Sequence, residues 1–180
     1  MSPSAASWRL MQPGDLPDVL RIAAQVHPDY PEHADVFIER QQLYSQGCWV
    51  RQHGTHLYGY LLSHPWLLGH PPALNTKLHT LPDKADSYYL HDIALLPAAR
   101  GSGAASQIIA QLCSQALAEN LTTLSLVAVN QSTDFWQRHA FQPANHLVPA
   151  GKLHSYSRDA CYLVRTVTNT HRTMMKNMTD

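Results

Sequence analysis

Cysteine is scarce. Cys48, Cys113 and Cys161, three in 180 residues, are too few and too scattered to frame a fold with disulfides, so a reducing, cytoplasmic setting is expected. An excess of one charge is also missing. Thirteen basic residues balance 13 acidic ones, so no basic stripe points to nucleic acid and no polybasic segment to a membrane surface. No apolar run approaches the roughly 18 residues of a spanning helix. Residues 1–7 lack the charged-then-apolar order of a secretory signal. Metal-ligand spacing is absent as well. Twelve histidines invite that reading, but there is no H-E-x-x-H and no Cys–His pair at zinc-finger spacing, so no metal is expected. His53, His56, His64 and His70 lie in turn-like or loop-like sequence and are expected to be exposed or locally hydrogen-bonded.

The length fits one domain with a full core. Trp8–Met11 has the character of a short strand, and Asp15 stands where it could cap a helix running to Val26, with Leu16, Val19, Leu20 and Ala23 on one face. His27-Pro28-Asp29-Tyr30-Pro31 breaks that helix, and a second is expected over 33–45. Two β-rich runs, 48–51 and 55–63, flank a His53-Gly54 turn signal. Residues 64–86 are rich in proline but carry Trp66, Leu67, Leu68, Leu74 and Leu78, which predicts an ordered wall rather than a linker. A strand over 89–96 follows, then a helix over 104–119 with Ile108, Ile109, Leu112, Ala116 and Leu117 in one stripe. A buried strand at 123–129, a short helix at 133–139 that Ser132 could cap, and strands from Phe141 and over 156–167, the last broken or bulged near Arg158-Asp159, complete the pattern. The tail, 168–180, is polar and expected to be mobile.

Between the strand ending at Leu96 and the helix opening at Ala104 lies Pro97-Ala98-Ala99-Arg100-Gly101-Ser102-Gly103-Ala104-Ala105. Small residues let backbone N–H groups approach a ligand, and the helix N-terminus adds its positive dipole end, a combination suited to a pyrophosphate. Two familiar phosphate turns are excluded by spelling. No Lys follows Gly103, as a P-loop requires. A dinucleotide turn needs a third glycine and, about 20 residues on, an acid, where Thr122 and Thr123 stand.

What remains, Arg100-Gly101-Ser102-Gly103-Ala104-Ala105, resembles the [Q/R]-x-x-G-x-[G/A] signature of the GNAT-superfamily N-acetyltransferases. Phe135-Trp136-Gln137-Arg138-His139-Ala140-Phe141 resembles that family's F-[Y/W]-x-x-x-G-F segment, with Ala140 in place of glycine. Gly47-Cys48-Trp49-Val50, Gly59-Tyr60 and Tyr89-Leu90-His91-Asp92-Ile93-Ala94-Leu95 look similar to the arylalkylamine (serotonin-type) enzymes and their microbial relatives. The resemblance implies an α/β GNAT fold over residues 1–167. Its mixed central sheet would have six to seven strands, with helices on both faces and a splay between the fourth and fifth strands.

It also implies acetyl-CoA as co-substrate and the primary amine of a small molecule as acceptor, in a monomer or homodimer. Attack on a thioester needs a neutral amine; an unperturbed histidine, with a pKa of about 6.5, can accept its proton, and His91 is the implied base. Tyr89, on the same strand face by period-two geometry, would line the site or hold a water. Asp92 would point to the opposite face unless the strand bulges. Ile93, Ala94 and Leu95 would pair with the pantetheine arm, with an amide near Leu95 polarising the thioester. Arg100, Gly101, Ser102, Gly103, Ala104 and Ala105 would hold the pyrophosphate. Relatives that protonate the leaving thiolate use a tyrosine where Trp136 stands. Indole is a far poorer acid, so Trp136 is expected to pack against the coenzyme instead. The loop 27–33 and the segment 65–82 would form the acceptor pocket, with Tyr30, Trp66 and Leu68 suiting an apolar or aromatic amine. The rival readings are acetylation of a protein lysine or N-terminus, and a non-catalytic acyl-CoA sensor.

Overall fold

A computed structural model describes residues 5–168; residues 169–180, most of the expected tail, lie outside it. Strand β1 (Ser7–Leu10) leads into helix α1 (Leu16–Val26) and helix α2 (Ala34–Leu43). The hairpin β2 (Cys48–His53) and β3 (His56–Trp66) is followed by the irregular segment 67–86 and by β4 (Ser87–Leu95). Then come α3 (Ala104–Ala118), β5 (Thr123–Ala128), α4 (Thr133–Arg138), the two-residue β6 (Gln142–Pro143) and β7 (Cys161–Thr166). Seven strands form one sheet in the order β1-β2-β3-β4-β5-β7-β6. Among the described residues only β4 and β5 pair in parallel; the other five pairings are antiparallel.

The sheet divides two cores. On one face α1 and α2 bury Val19, Ile22 and Phe37 against Val50, Tyr60, Leu62 and Ala94. On the other, α3 buries Ile108, Ile109 and Leu112 against Leu61, Tyr88, Leu90 and Leu124, with Trp136 and Phe141 closing the end. Leu61 falls in one core and its neighbours Tyr60 and Leu62 in the other, as period-two alternation requires.

The caps differ from expectation. Asp15 makes no side-chain cap to α1; it accepts the Gln12 amide at 2.8 Å and pairs with Arg9 at 2.7 Å, tying β1 to the helix entry. Ser132 likewise makes no cap bond to α4. The last strand starts at Cys161 rather than at residue 156, because 157–160 form a turn in which the Ala160 amide meets the Ser157 carbonyl at 3.3 Å, at the expected break near Arg158-Asp159. His64 lies in a strand rather than a turn, and of its two expected settings it has the local bond and not the exposure. It is 1% exposed within β3, and Nδ1 donates to the Pro65 carbonyl at 3.0 Å. Burial pulls its pKa down to about 3, so it is neutral.

Two features of β4 position the site. Leu62 faces Asp92 but Ser63 faces Leu90, so His91 is an extra residue on β4, a β-bulge. One inserted residue exchanges the faces of everything beyond it. Tyr88 and Leu90 therefore point to the α3 core, whereas Ala94 points to the α1–α2 core. The second feature is a splay. β4 pairs with β5 only at Tyr88–Leu124 and Tyr89–Ser125, and beyond these positions the strands part.

Candidate active site

The splay opens into a cavity of about 530 Å³ bounded by the end of α1, the loop 27–33, the far half of β4, the start of α3 and the Phe135–Trp136 face of α4. Its two ends differ in chemistry.

At the α3 end the wall is main chain. Gly101 and Gly103 adopt positive φ of 72° and 77°, a left-handed conformation that costs an L-residue roughly 1–2 kcal/mol. Gly103 stands at the N-terminus of α3 without a side-chain cap, so the first-turn amides have no intrahelical acceptor and are available to an anion. Ser102 Oγ donates to the Ala99 carbonyl at 2.6 Å and Arg100 Nε to the Leu95 carbonyl at 3.1 Å, fixing the turn. Trp8 Nε1 donates to the Ala104 carbonyl at 2.9 Å, bracing α3 against β1.

The exposed edge of β4 continues this wall. Leu96 N–H bonds across to the Tyr58 carbonyl at 2.9 Å, so residues 94 and 96 turn their backbone groups toward β3. Ile93 and Leu95, at the alternate positions, turn theirs into the splay. Their carbonyls already meet His27 Nε2 at 3.0 Å and Arg100 Nε. An extended amide-bearing arm fits along such an edge, and the Ile93 and Leu95 amides are placed to polarise a carbonyl. The turn, the helix start and the edge together fit a coenzyme with a pyrophosphate and a pantetheine arm.

At the other end the wall is made of side chains. The bulge puts His91 and Asp92, neighbours in sequence, on one face, and both line the cavity. They do not pair with each other; each takes a partner from the chain around the α1–α2 loop. His91 Nε2 meets Glu32 Oε1 at 2.9 Å, and Asp92 Oδ1 meets His27 Nε2 at 2.9 Å. A carboxylate only accepts, so Nε2 carries the hydrogen in both rings. Tyr60 donates to the other Asp92 oxygen, and the Asn75 amide to Glu32 Oε2 at 2.9 Å.

Burial works against charge in both pairs and loses. It lifts the Asp92 and Glu32 carboxyls, but the hydrogen bonds and charge of their imidazoles hold both below the ordinary carboxylate range. Burial likewise depresses His27, while Asp92 and the Ile93 carbonyl outweigh it and leave His27 above its ordinary value.

The residues singled out from sequence separate accordingly. His91, Ile93, Leu95, Arg100, Ala105, Trp136 and Tyr30 line the cavity. Tyr89 shares the His91 face, ring centroids 6.3 Å apart, but is buried behind the wall and meets Tyr156 Oη at 3.5 Å. It is Tyr156 that lines the cavity, its hydroxyl bonded to the Pro72 carbonyl at 2.6 Å and pushed up to about 12 by burial. Trp66 and Leu68 lie away from the cavity: Trp66 Nε1 donates to the His70 carbonyl at 2.8 Å and the Leu68 amide to Asp86 at 2.7 Å. Leu74 of the same segment takes the cavity position instead. The sequence pointed to the loop 27–33 but missed His27 and Glu32 within it. Their one available signal was a histidine and an acid flanking Pro28 and Pro31. Among the described residues no group of three or more His, Cys, Asp or Glu could hold a metal ion, and no helix is long and apolar enough to cross a membrane.

Residues 16–141 match the model of the acetyltransferase (GNAT) family. No curated protein matches the chain. Among solved structures, Ard1 from Thermoplasma volcanium superposes with a TM-score of 0.68 at 15% identity, over 92% of this chain and 99% of that one. The loading GNATL domain of CurA from Lyngbya majuscula gives 0.74 at 9% identity, over 91% and 98%. N-acetylglutamate synthase from Neisseria gonorrhoeae, complexed with coenzyme A and N-acetyl-glutamate, gives 0.66 at 18% identity, over 92% of this chain but 36% of that one. At such identities the likeness is one of fold.

Proposed function

The chain belongs to the acetyltransferase (GNAT) family, and from the acceptor end of its cavity we propose that it acetylates the primary amine of a small molecule, arylalkylamines included, with acetyl-CoA as donor. The coenzyme supplies an activated acetyl thioester. The turn 100–105 would bind its pyrophosphate, and Ile93 and Leu95 its arm, with their amides facing the thioester oxygen; Ala94, expected to share in this, does not, because its backbone groups are turned to β3 and its side chain is buried in the α1–α2 core. Trp136 would pack against the coenzyme, since indole N–H is no useful acid.

The observation that carries the reading is the pair of imidazole–carboxylate contacts beside that edge, His91–Glu32 and His27–Asp92. An alkylammonium must lose a proton before it can attack, and an imidazole held by a carboxylate takes that proton near neutral pH. Two carboxylates at the same end favour the approach of a cation. The acceptor wall also supports a small molecule over a protein chain. Tyr156 is tied to Pro72, and Asn75 reaches both Glu32 and the His33 amide, so the segment 67–86 is laced to the α1–α2 loop around the site. Tyr30, Leu74 and Val26 give that end an apolar lining.

An amine panel with acetyl-CoA, followed by release of free thiol, tests this. Turnover of small alkyl- or arylalkylamines is expected. Turnover of peptides alone would replace the reading with protein acetylation, and tight coenzyme binding without any turnover would replace it with acyl-CoA sensing.

A further inference from the structure

The proposed chemistry requires a proton acceptor, and two imidazoles stand at the acceptor end. Resting on that reading, we infer that His27, at the end of α1, takes the proton of the acceptor amine, with Asp92 orienting it, and that His91 is a positioning residue behind it.

Access separates the two rings. His91 borders the cavity, but its side chain is only 2% exposed: Nε2 is committed to Glu32 and Nδ1 is buried without a partner. Its one lone pair is turned into protein. His27 is 23% exposed and lines the cavity. Nε2 donates toward Asp92 and the Ile93 carbonyl, which leaves the lone pair on Nδ1. Among the described residues Nδ1 has no partner, and it is not among the buried unpartnered atoms.

Position adds a second argument. The Ile93 carbonyl that His27 holds and the Ile93 amide that faces the thioester point to the same side of β4, one residue's width apart. An amine attacking a carbonyl held there meets His27 directly or through one water. His91 belongs to the bulge itself, and its contact with Glu32 holds the α1–α2 loop that carries His27.

The groups facing His27 favour its protonated form. Asp92 on β4 and Glu32 on the loop are carboxylates. Tyr60 on β3 touches Asp92 and is pushed up, so it stays neutral. The protons balance. One leaves the ammonium for His27 and then solvent. As the C–N bond forms and the C–S bond breaks, the second N–H proton neutralises the coenzyme sulfur.

The test uses His27→Gln and His91→Gln, because a glutamine amide can still donate where Nε2 did but cannot titrate. In the wild type, kcat/KM for the amine should fall on the acid side with a midpoint above that of a free imidazole. His27→Gln should lower kcat/KM about 10²-fold or more and abolish that acid limb, with coenzyme affinity and a cooperative melt retained. His91→Gln should lower kcat/KM and keep the limb. An intact limb in His27→Gln, or its loss only in His91→Gln, overturns the assignment while acetyl transfer stands. Absence of acetyl transfer to any amine in the wild type overturns both. Should His27→Gln fail to fold, ¹⁵N-histidine titration of the wild-type protein decides. The ring at position 27 must titrate with the kinetic midpoint; if the ring at 91 does so instead, the assignment is overturned.

Discussion

At its α3 end the cavity offers backbone: amides released by a helix start, two left-handed glycines and the unpaired edge of β4. At the α1–α2 end it offers four titratable side chains locked in crossed pairs. Backbone sites are made by local conformation, so a few consecutive residues suffice to build and to reveal one. Side-chain sites are made by elements that meet only after folding. The two ends should therefore fail differently, the first through coenzyme affinity and the second through proton chemistry.

Gly103→Asp should produce the largest effect. A Cβ at Gly103 meets no atom within 4 Å, but φ is 77°. The substitution thus adds strain of roughly 1–2 kcal/mol and, more damagingly, an anion at the helix N-terminus that would receive a pyrophosphate. Coenzyme affinity by calorimetry should drop at least about 100-fold, since two like charges in contact lose several kcal/mol of complementarity, while the fold survives. Retained affinity would move the phosphate site elsewhere and erase the contrast between the two ends.

Glu32→Gln probes the other end and should be milder. A hydrogen bond to a charged group contributes about 1.5–3 kcal/mol against about 0.5–1.5 for a neutral one, and each 1.4 kcal/mol is tenfold in rate. The expected result is a roughly tenfold loss of kcat/KM for the amine with coenzyme affinity unchanged. A matched loss of coenzyme affinity would show that the two ends are not separable.

The same division explains what could be read from the sequence. Pro97 to Ala105 and the stripe of α3 are local, and the structure has the strand, turn and helix there, with only small shifts in their ends. His27 lies in a run of prolines that signals a break, and nothing links position 27 to position 92. The bulge at His91 was equally silent. Tyr88–Leu95 holds no glycine or proline, and alternation placed Asp92 on the opposite face unless the strand bulged, a condition that only the structure could decide. Trp66 and Leu68 looked like pocket residues by composition, but their segment turns inward at Leu74, braced by the Asn75 amide on Glu32.

A pH series of melting temperature sharpens the comparison further. Asp92 and Glu32 lie below their ordinary values. Their contribution is present above about pH 4 and lost as pH falls through the lowered folded values, a loss shared with Asp15. His27 is raised, so its contribution is complete below about pH 6.5 and lost as pH rises through the raised folded value. Stability should decline on both sides, by a few degrees, at about 2–4 °C per kcal/mol in a domain of this size. His27→Gln should flatten the alkaline side and shrink the acid-side loss too, since Asp92 then lacks the imidazole that lowers it, and Gly103→Asp should leave the shape unaltered. An alkaline decline that persists in His27→Gln would assign it to another group.

Trp136→Phe should do least, and for that reason it discriminates well. Trp136 is 6% exposed and meets Phe135 and Phe141 edge-on at centroid separations of 5.0 and 5.4 Å. Phenylalanine keeps an aromatic wall at this position and removes only the N–H and the outer ring. Should the coenzyme end rely on backbone for its polar contacts and on Trp136 for packing, kcat should stay within about threefold and the KM for acetyl-CoA should rise modestly, by the roughly 1 kcal/mol typical of a small core trimming. Should the indole N–H instead hold the coenzyme, coenzyme affinity would fall by tenfold or more, the cost of an unmade buried hydrogen bond. Steady-state kinetics with acetyl-CoA as the varied substrate separates the two outcomes, and the second would place a specific side-chain contact at an end otherwise built of main chain.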